Sequence, residues 1–291
     1  MATSKLIVGC GYLGRRVATA WQAAGDEVFA VTRSVDRAAV WRAEGLRPVV
    51  ADVCESASLV NLPDVETILY AVGYDRGSGR SQQEVTVDGL RHVLAQVQGR
   101  CRRFLFISSS SVYGQSAGEW VDESSPCEPT QPGGQCCLAA ERLVWQTFPG
   151  TELATSAQVL RLSGIYGPQR LLSRIDALRN GEPLPGRPEA WLNLIHVDDA
   201  VQAVLACEQR GIAGETYLVS DDRPVLRGEY YAHLAQLFGA PPPAFDATQP
   251  AKRGSGGANK RCSNRRLREE LQVALRYPTF VEGLAASAGS A

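Results

Sequence analysis

A doubly wound α/β fold, a parallel sheet with helices on both faces and a smaller C-terminal lobe, is what this sequence predicts. Three observations lead there. Residues 5–14 read Lys-Leu-Ile-Val-Gly-Cys-Gly-Tyr-Leu-Gly, an apolar run entering G-x-G-x-x-G. Short apolar runs then alternate with helix-length segments to about residue 165, the pattern of βαβ units. The chain has 291 residues, 44% of them hydrophobic, enough for one large domain and an appendage.

The elements follow in order. Leu6–Val8 is a strand and Gly14–Ala24 the helix after it. Gly25-Asp26 turns the chain into a second strand, Glu27–Thr32. Pro48–Ala51, Thr67–Val72, Arg103–Ser108 and Ala157–Leu162 continue the strand series. Asp88–Val97 carries Leu90, Val93, Leu94 and Val97 on one helical face. Leu138–Phe148 is a further helix. Beyond a Gly/Pro-rich stretch, Gly181 to Pro188, come a strand over Trp191–Val197, a helix over Asp198–Glu208 and a strand over Thr216–Val219. The tail 239–260 is read as a loop, and 263–285 as a closing helix and cap. The expected division is a Rossmann-type domain over 1–165, with sheet contributions from about 190–220, and a discontinuous substrate lobe over 166–291.

The glycine spacing has a chemical purpose. Gly9 permits the tight turn off the strand, Gly11 lets the backbone approach a pyrophosphate, and Gly14 lets the helix pack on the sheet. With Cys10, Tyr12 and Leu13 they form a loop whose amides meet phosphate at a helix N-terminus. At the end of the second strand, an NAD site carries an acid for the ribose 2′-hydroxyl. Here the residues are Val31-Thr32-Arg33-Ser34. Arg33, with Ser34 and Arg37 beside it, suits a 2′-phosphate. The expected cofactor is NADP(H).

Composition narrows the partners. A formal net charge of -1 argues against nucleic acid as a partner. Eight scattered cysteines without C-x-x-C, and three histidines, argue against a metal site. Scattered thiols suit a reducing compartment. With no charged-then-apolar leader and no long apolar run, the expectation is a cytoplasmic protein without membrane contact, a monomer or homodimer acting on a small molecule.

The chain resembles the extended short-chain dehydrogenase/reductases, the group that contains nucleotide-sugar epimerases and dehydratases. The most specific match is Phe106-Ile107-Ser108-Ser109-Ser110-Ser111-Val112-Tyr113-Gly114. The resemblance implies that Ser109 is the catalytic Ser/Thr and that Ser108 lies by the cofactor. It also implies adenine contacts from Asp52 and Val53, and a cofactor-lining strand end at Ala71, Val72 and Gly73. Arg161–Pro168 and Ile195–Asp199 resemble the segments that border substrate. The departures are specific too. The family pattern Y-x-x-x-K-x-x-x-E, anchored on Glu141, puts Gly133 at the tyrosine and Cys137 at the lysine. The only lysines are Lys5, Lys252 and Lys260. Leu192 stands where nucleotide-sugar enzymes often place a phosphate-binding arginine.

Several side chains are candidates for what is missing. Tyr113 is either a spare phenol or a structural residue. Tyr74 and Tyr166 are read as pocket residues, and Arg170 as a ligand for an anionic group or a loop anchor. His196 either titrates near neutral pH or is fixed by hydrogen bonds in the fold. Cys136 and Cys137 open a helix, where a thiolate is stabilised, or are inert. The expectation is that Tyr74, Ser109, Tyr166 and His196 share one cavity. The two functions in play are an NADP(H)-dependent oxidoreductase or epimerase/dehydratase-like enzyme, and a non-catalytic NADP(H)-binding sensor.

Overall fold

The computed structural model describes residues 3–150, 155–170, 172–249 and 259–288. The first part of the chain runs β1 (Ser4–Val8), α1 (Tyr12–Ala23), β2 (Glu27–Thr32), α2 (Val35–Ala43), β3 (Arg47–Val50), β4 (Val65–Tyr70), α3 (Gly89–Val97) and β5 (Cys101–Ser109). Next come β6 (Glu119–Val121), α4 (Pro132–Thr147), β7 (Ser156–Leu162), β8 (Gly164–Tyr166), α5 (Leu172–Arg179), β9 (Leu184–Pro185), β10 (Trp191–Leu192) and β11 (Leu194–His196). The chain closes with α6 (Val197–Arg210), β12 (Thr216–Val219), β13 (Val225–Leu226), α7 (Arg227–Leu237), β14 (Phe245–Asp246), β15 (Lys260–Cys262), α8 (Arg265–Glu269) and α9 (Phe280–Ala288).

Seven strands form one sheet in the order β12-β7-β5-β4-β1-β2-β3. The β1–β2, β1–β4, β2–β3 and β4–β5 pairings are parallel. Chain direction along the sheet reverses between β1 and β4. In an open α/β sheet the crevice for a ligand opens at that reversal, beyond the carboxyl ends of the strands. Position 9 of the glycine loop and position 71 after β4 are therefore neighbours by topology.

Two compact units emerge. The first comprises Met1–Ser109, Gln135–Arg161 and Val204–Tyr217; the second comprises Ser110–Gly134, Leu162–Ala203 and Leu218–Ala291. Val204–Tyr217 groups with the first part of the chain, and Ser110–Gly134 groups with the later segments.

The first unit is held by its strands' apolar runs. Leu6, Ile68, Phe104 and Val159 pack with Leu90, Val93, Leu94 and Val97, all buried. The last four are the expected apolar face of α3. The helix enters through a π-helical turn, Glu84–Asp88. At the junction, Gly89 allows the close approach of Val53, whose Cγ2 would lie 2.8 Å from any Cβ there. Lys5, buried, pairs with Glu208, which also accepts from Trp21 Nε1 at 2.8 Å. One of the three lysines is thus committed to the core. The second unit has its own core of Tyr166, Leu184, Leu194, Tyr230, Leu234 and Phe280.

Several elements differ from expectation. Helices α2, α5 and α7 occupy stretches for which none is expected, β14 lies in the tail read as a loop, and β15 begins at its last residue. The closing segment is two short helices, α8 and α9, not one.

Candidate functional site: a dinucleotide cradle at the β1–α1 turn

The three glycines of the loop do different things. Gly9 has φ +99°, and a Cβ on it would lie 2.4 Å from the Ala71 carbonyl carbon and 2.5 Å from the Val72 nitrogen. A Cβ on Gly14 would lie 2.5 Å from the Gly9 carbonyl oxygen. These two positions let β1, β4 and α1 close on one another. Gly11 has no atom within 4 Å of its Cβ position. It faces open space at the start of α1, a helix whose N-terminus has no side-chain cap and no acid in its first turn. Its own amide is spent on the Gly9 carbonyl at 2.8 Å. An uncapped helix N-terminus presents unsatisfied N–H groups and positive potential. The cradle fits a pyrophosphate.

Cys10 is buried within this loop. Burial pushes its thiol up to about 11, against the lowering effect of Arg15 beside it, so it is a neutral thiol at physiological pH. Leu13 is buried in the first turn of α1. The Tyr12 ring carries the Arg16 guanidinium at 4.2 Å, and Arg16 Nη1 also donates to the Tyr12 carbonyl at 2.9 Å.

At the end of β2, Arg33 is exposed, with no acid at the adjoining positions 32 and 34. Ser34 caps α2, its hydroxyl accepting the Arg37 amide at 3.1 Å. This places the Arg33 and Arg37 side chains around one turn. Asp52 makes a local turn, accepting the Cys54 amide at 2.9 Å, and Val53 is buried against Gly89. The Ala71 amide donates to Val8 O at 2.7 Å. Gly73 has nothing within 4 Å of its Cβ position. The Tyr74 hydroxyl donates to the Arg80 carbonyl at 3.1 Å.

The strand carrying Ser109 is anchored by a buried polar cluster. The Ser108 hydroxyl donates to Glu141 of α4. Glu141 also accepts from Arg161 Nε at 3.0 Å and from Arg161 Nη2 at 2.7 Å. All three residues are buried. Serine, glutamate and arginine thereby fix α4 against β5 and β7, and the Ser108 hydroxyl is committed inside the protein. Ser109, the next residue, is half-buried. Cys137 lies one turn before Glu141 on the same helix. Cys136 faces Gln83 Oε1 at 3.8 Å, and burial followed by Asp88 raises its thiol above the ordinary range, the opposite of thiolate stabilisation.

In the second unit, Tyr166 and His196 come together from the paired strands β8 and β11, their rings edge to face at 5.3 Å. Both are buried. The Tyr166 hydroxyl donates to Thr279 O at 3.4 Å, and His196 Nε2 lies 3.3 Å from Ser287 Oγ. Tyr113 is fully buried. Arg170 is exposed in the loop after β8. Tyr74 and Ser109 belong to the first unit.

Sequence reasoning passed over three buried titratable groups in the second unit, Asp199, Asp221 and Lys260. Asp199 accepts the Arg276 and Tyr277 amides at 2.7 and 3.0 Å. Asp221 is pushed up to about 8 by burial, with Asp222 and Asp199 adding to the shift against one amide hydrogen bond. Lys260 donates to the Tyr113 carbonyl at 3.0 Å, and burial lowers its pKa. Only Asp199 had a sequence signal, in Ile195-His196-Val197-Asp198-Asp199. Among the described residues no group of three His, Cys, Asp or Glu side chains could hold a metal ion. No helix among them is long and apolar enough to cross a membrane.

The comparisons agree with this geometry. Residues 6–220 match the model of the NAD-dependent epimerase/dehydratase family. The chain is similar to Protein YeeZ of Escherichia coli K12, 29% identical over 283 residues and covering 94% of this chain and 95% of that one. It is also similar to a 3-diazoavenalumate denitrifying reductase of Streptomyces, 27% identical and covering 82% of each chain. Among solved structures, a conserved protein of unknown function from Silicibacter pomeroyi superposes with TM-score 0.79 at 29% identity, over 99% of both chains. The UDP-glucose 4-epimerase of Thermotoga maritima shares the fold, with TM-score 0.84 at 18% identity over 99% of this chain and 98% of that one. The chain belongs to the NAD-dependent epimerase/dehydratase family, within the extended short-chain dehydrogenase/reductases.

Proposed function

We propose that this protein binds NADP(H) and acts as an oxidoreductase or epimerase/dehydratase-like enzyme on a small polar or sugar-like substrate. One observation carries the cofactor reading: open space over Gly11 at an uncapped helix N-terminus, between two glycines whose missing Cβ atoms let the strands and helix close. The loop Gly9–Gly14 holds the pyrophosphate. Arg33, with Ser34 and Arg37, holds the 2′-phosphate, for which the absence of an acid beside it is the support. Asp52 and Val53 border the adenine, and Ala71 to Gly73 border the rest of the cofactor. NADP(H), when bound, supplies or accepts a hydride.

Ser109 donates a hydrogen bond to a substrate oxygen. Tyr74, in the same unit, borders the substrate. The burial of Tyr113, Tyr166 and His196 within the second unit supports a structural role for them, without a reacting group. The reductase among the relatives supports the oxidoreductase side of the reading.

A second reading, a non-catalytic NADP(H)-binding sensor, is favoured by a specific observation. The buried Ser108–Glu141–Arg161 cluster fixes α4, and on it the family's lysine position is Cys137. The tyrosine position is Gly133, so the family's proton relay is missing. Turnover of NADPH and NADP+ against a panel of carbonyl compounds, sugars and nucleotide sugars separates the two. The enzyme reading expects turnover on at least one member, with negligible epimerisation of common nucleotide sugars. Tight NADPH binding without turnover on any member supports the sensor.

A further inference from the structure

The feature that neither the family's motifs nor the cofactor reading uses is on the outer face of β15. This strand is fixed on both flanks. It pairs in parallel with β6, Arg261 opposite Trp120. Asn193 Nδ2 donates to the Lys260 carbonyl at 2.9 Å, and Asn193 Oδ1 accepts the Cys262 amide at 2.6 Å. The Asn259 amide donates to Gln115 O at 2.8 Å, and the Gly118 amide to Asn259 O at 2.7 Å. Lys260 and Cys262 point inward and are buried. Strand alternation turns Arg261 to the other face.

On that face the Arg261 guanidinium lies over two indoles, 5.0 Å from the Trp120 ring centroid and 5.3 Å from that of Trp191. Its Nε donates to the Gly118 carbonyl at 2.8 Å. Gly118 has φ +84°, and a Cβ there would come within 3.3 Å of Trp191 Nε1. The tight turn thus leaves room for the second indole.

Both indoles pack against the guanidinium, and Gly118 uses its Nε–H. Among the described residues neither Nη group makes a hydrogen bond, and Arg261 has no carboxylate partner. What is left is the planar Nη edge, the part that meets two oxygens of a carboxylate or phosphate side by side. Its orientation is set before any ligand arrives, which lowers the entropy lost on binding. Trp120 is 56% exposed, so an indole surface stands open next to the charged edge.

We propose that Arg261 and Trp120 form a binding site for a small molecule that carries an oxyanion next to a flat ring. The oxyanion is held by the two Nη groups and the ring lies on the Trp120 indole. The site lies within the second unit and does not depend on the cofactor reading.

The test uses the full-length protein labelled with 15N at its five tryptophan indoles. The Trp120 and Trp191 signals are assigned from W120F and W191F. The probes are phenyl phosphate and benzoate, with inorganic phosphate and benzamide as anion-only and ring-only controls. Expected are saturable shifts of the Trp120 and Trp191 signals with one or both ring-bearing anions, and at least tenfold weaker binding of the controls. R261Q should weaken the ring-bearing anion at least tenfold while Trp21 and Trp41, buried in the other unit, keep their shifts. R261K keeps the charge and loses the fork, so it should fall between; it also serves should R261Q fail to fold. Which ring-bearing anion binds better decides between carboxylate and phosphate. No saturable shift with either, or R261Q and R261K binding as tightly as the unmodified protein, overturns the proposal.

Discussion

Replacing Gly9 and Gly11 in turn should separate folding from binding within one three-residue loop. A Cβ at position 9 would sit 2.4 Å from the Ala71 carbonyl carbon, in a backbone with φ +99°. The close atoms are backbone of the Ala71–Val72 peptide just after β4, where the Ala71 amide is bonded to Val8 O, so they do not yield cheaply. The left-handed conformation costs about 1–2 kcal/mol for a residue with a Cβ. Overpacking against a fixed neighbour adds about 1–3 kcal/mol. Gly9→Ala is therefore expected to lose about 2–5 kcal/mol. Position 11 has φ -92° and nothing within 4 Å. Gly11→Val should change stability by about 1–2 kcal/mol at most, in either direction, since it also restricts the unfolded chain. Its branched side chain would fill the space read as the pyrophosphate seat, so NADPH binding should fall at least 100-fold. Urea denaturation gives the stabilities, and fluorescence titration with NADPH gives the affinities. If Gly11→Val unfolds as readily as Gly9→Ala, or still binds NADPH normally, the assignment of roles within the loop is wrong.

Two further predictions concern buried charge. Arg161→Met leaves the Glu141 carboxylate buried beside Ser108 without its cation, which should cost about 3–5 kcal/mol; urea denaturation measures this, and a loss under 1 kcal/mol would remove the cluster's anchoring role. Asp221 titrates at about 8 in the folded protein and near 3.9 when unfolded. Its carboxyl is neutral in the fold and ionises first in the unfolded chain, so its contribution to stability falls as pH rises from about 4 to about 8 and is level above that. Asp221→Asn should flatten that slope in stabilities measured across the range, and an unchanged slope would assign it to other groups such as Asp199.

What the sequence disclosed was local. The strands β1, β2, β4, β5 and β7 are apolar runs buried on both faces, and such runs are visible one residue at a time. The glycine spacing is equally local, because a turn and a helix N-terminus are set within six residues. Helix α2 escaped notice because its buried side is only Ala38 and Trp41, with Val35 and Val40 exposed, so it lacks an apolar stripe. Helix α7 was hidden differently: much of what it buries is tyrosine and arginine, Tyr230, Tyr231 and Arg227. The pairing of β6 with β15 joins three-residue strands some 140 positions apart, which no local pattern announces. For the same reason the Ser108–Glu141–Arg161 cluster and the Arg261 stack became visible only when the topology brought their members together. The reading of Gly133 and Cys137 as departures rests on Glu141 as the register, a position the sequence carries within one helix. The burial of Tyr113, Tyr166 and His196 was not legible, since motif resemblance assigns position along a chain and not exposure.

The central claim is that the β1–α1 cradle and the β2 end together select the 2′-phosphorylated dinucleotide. Calorimetric titration of the unmodified protein and of Arg33→Ala with NADPH and with NADH tests it most directly. NADPH should bind the unmodified protein more tightly, by about 1.5–3 kcal/mol for a charged hydrogen-bonded contact. Arg33→Ala should remove most of that difference and leave NADH binding unchanged. Equal affinities for the two nucleotides in the unmodified protein, or a preference that survives Arg33→Ala, would contradict it.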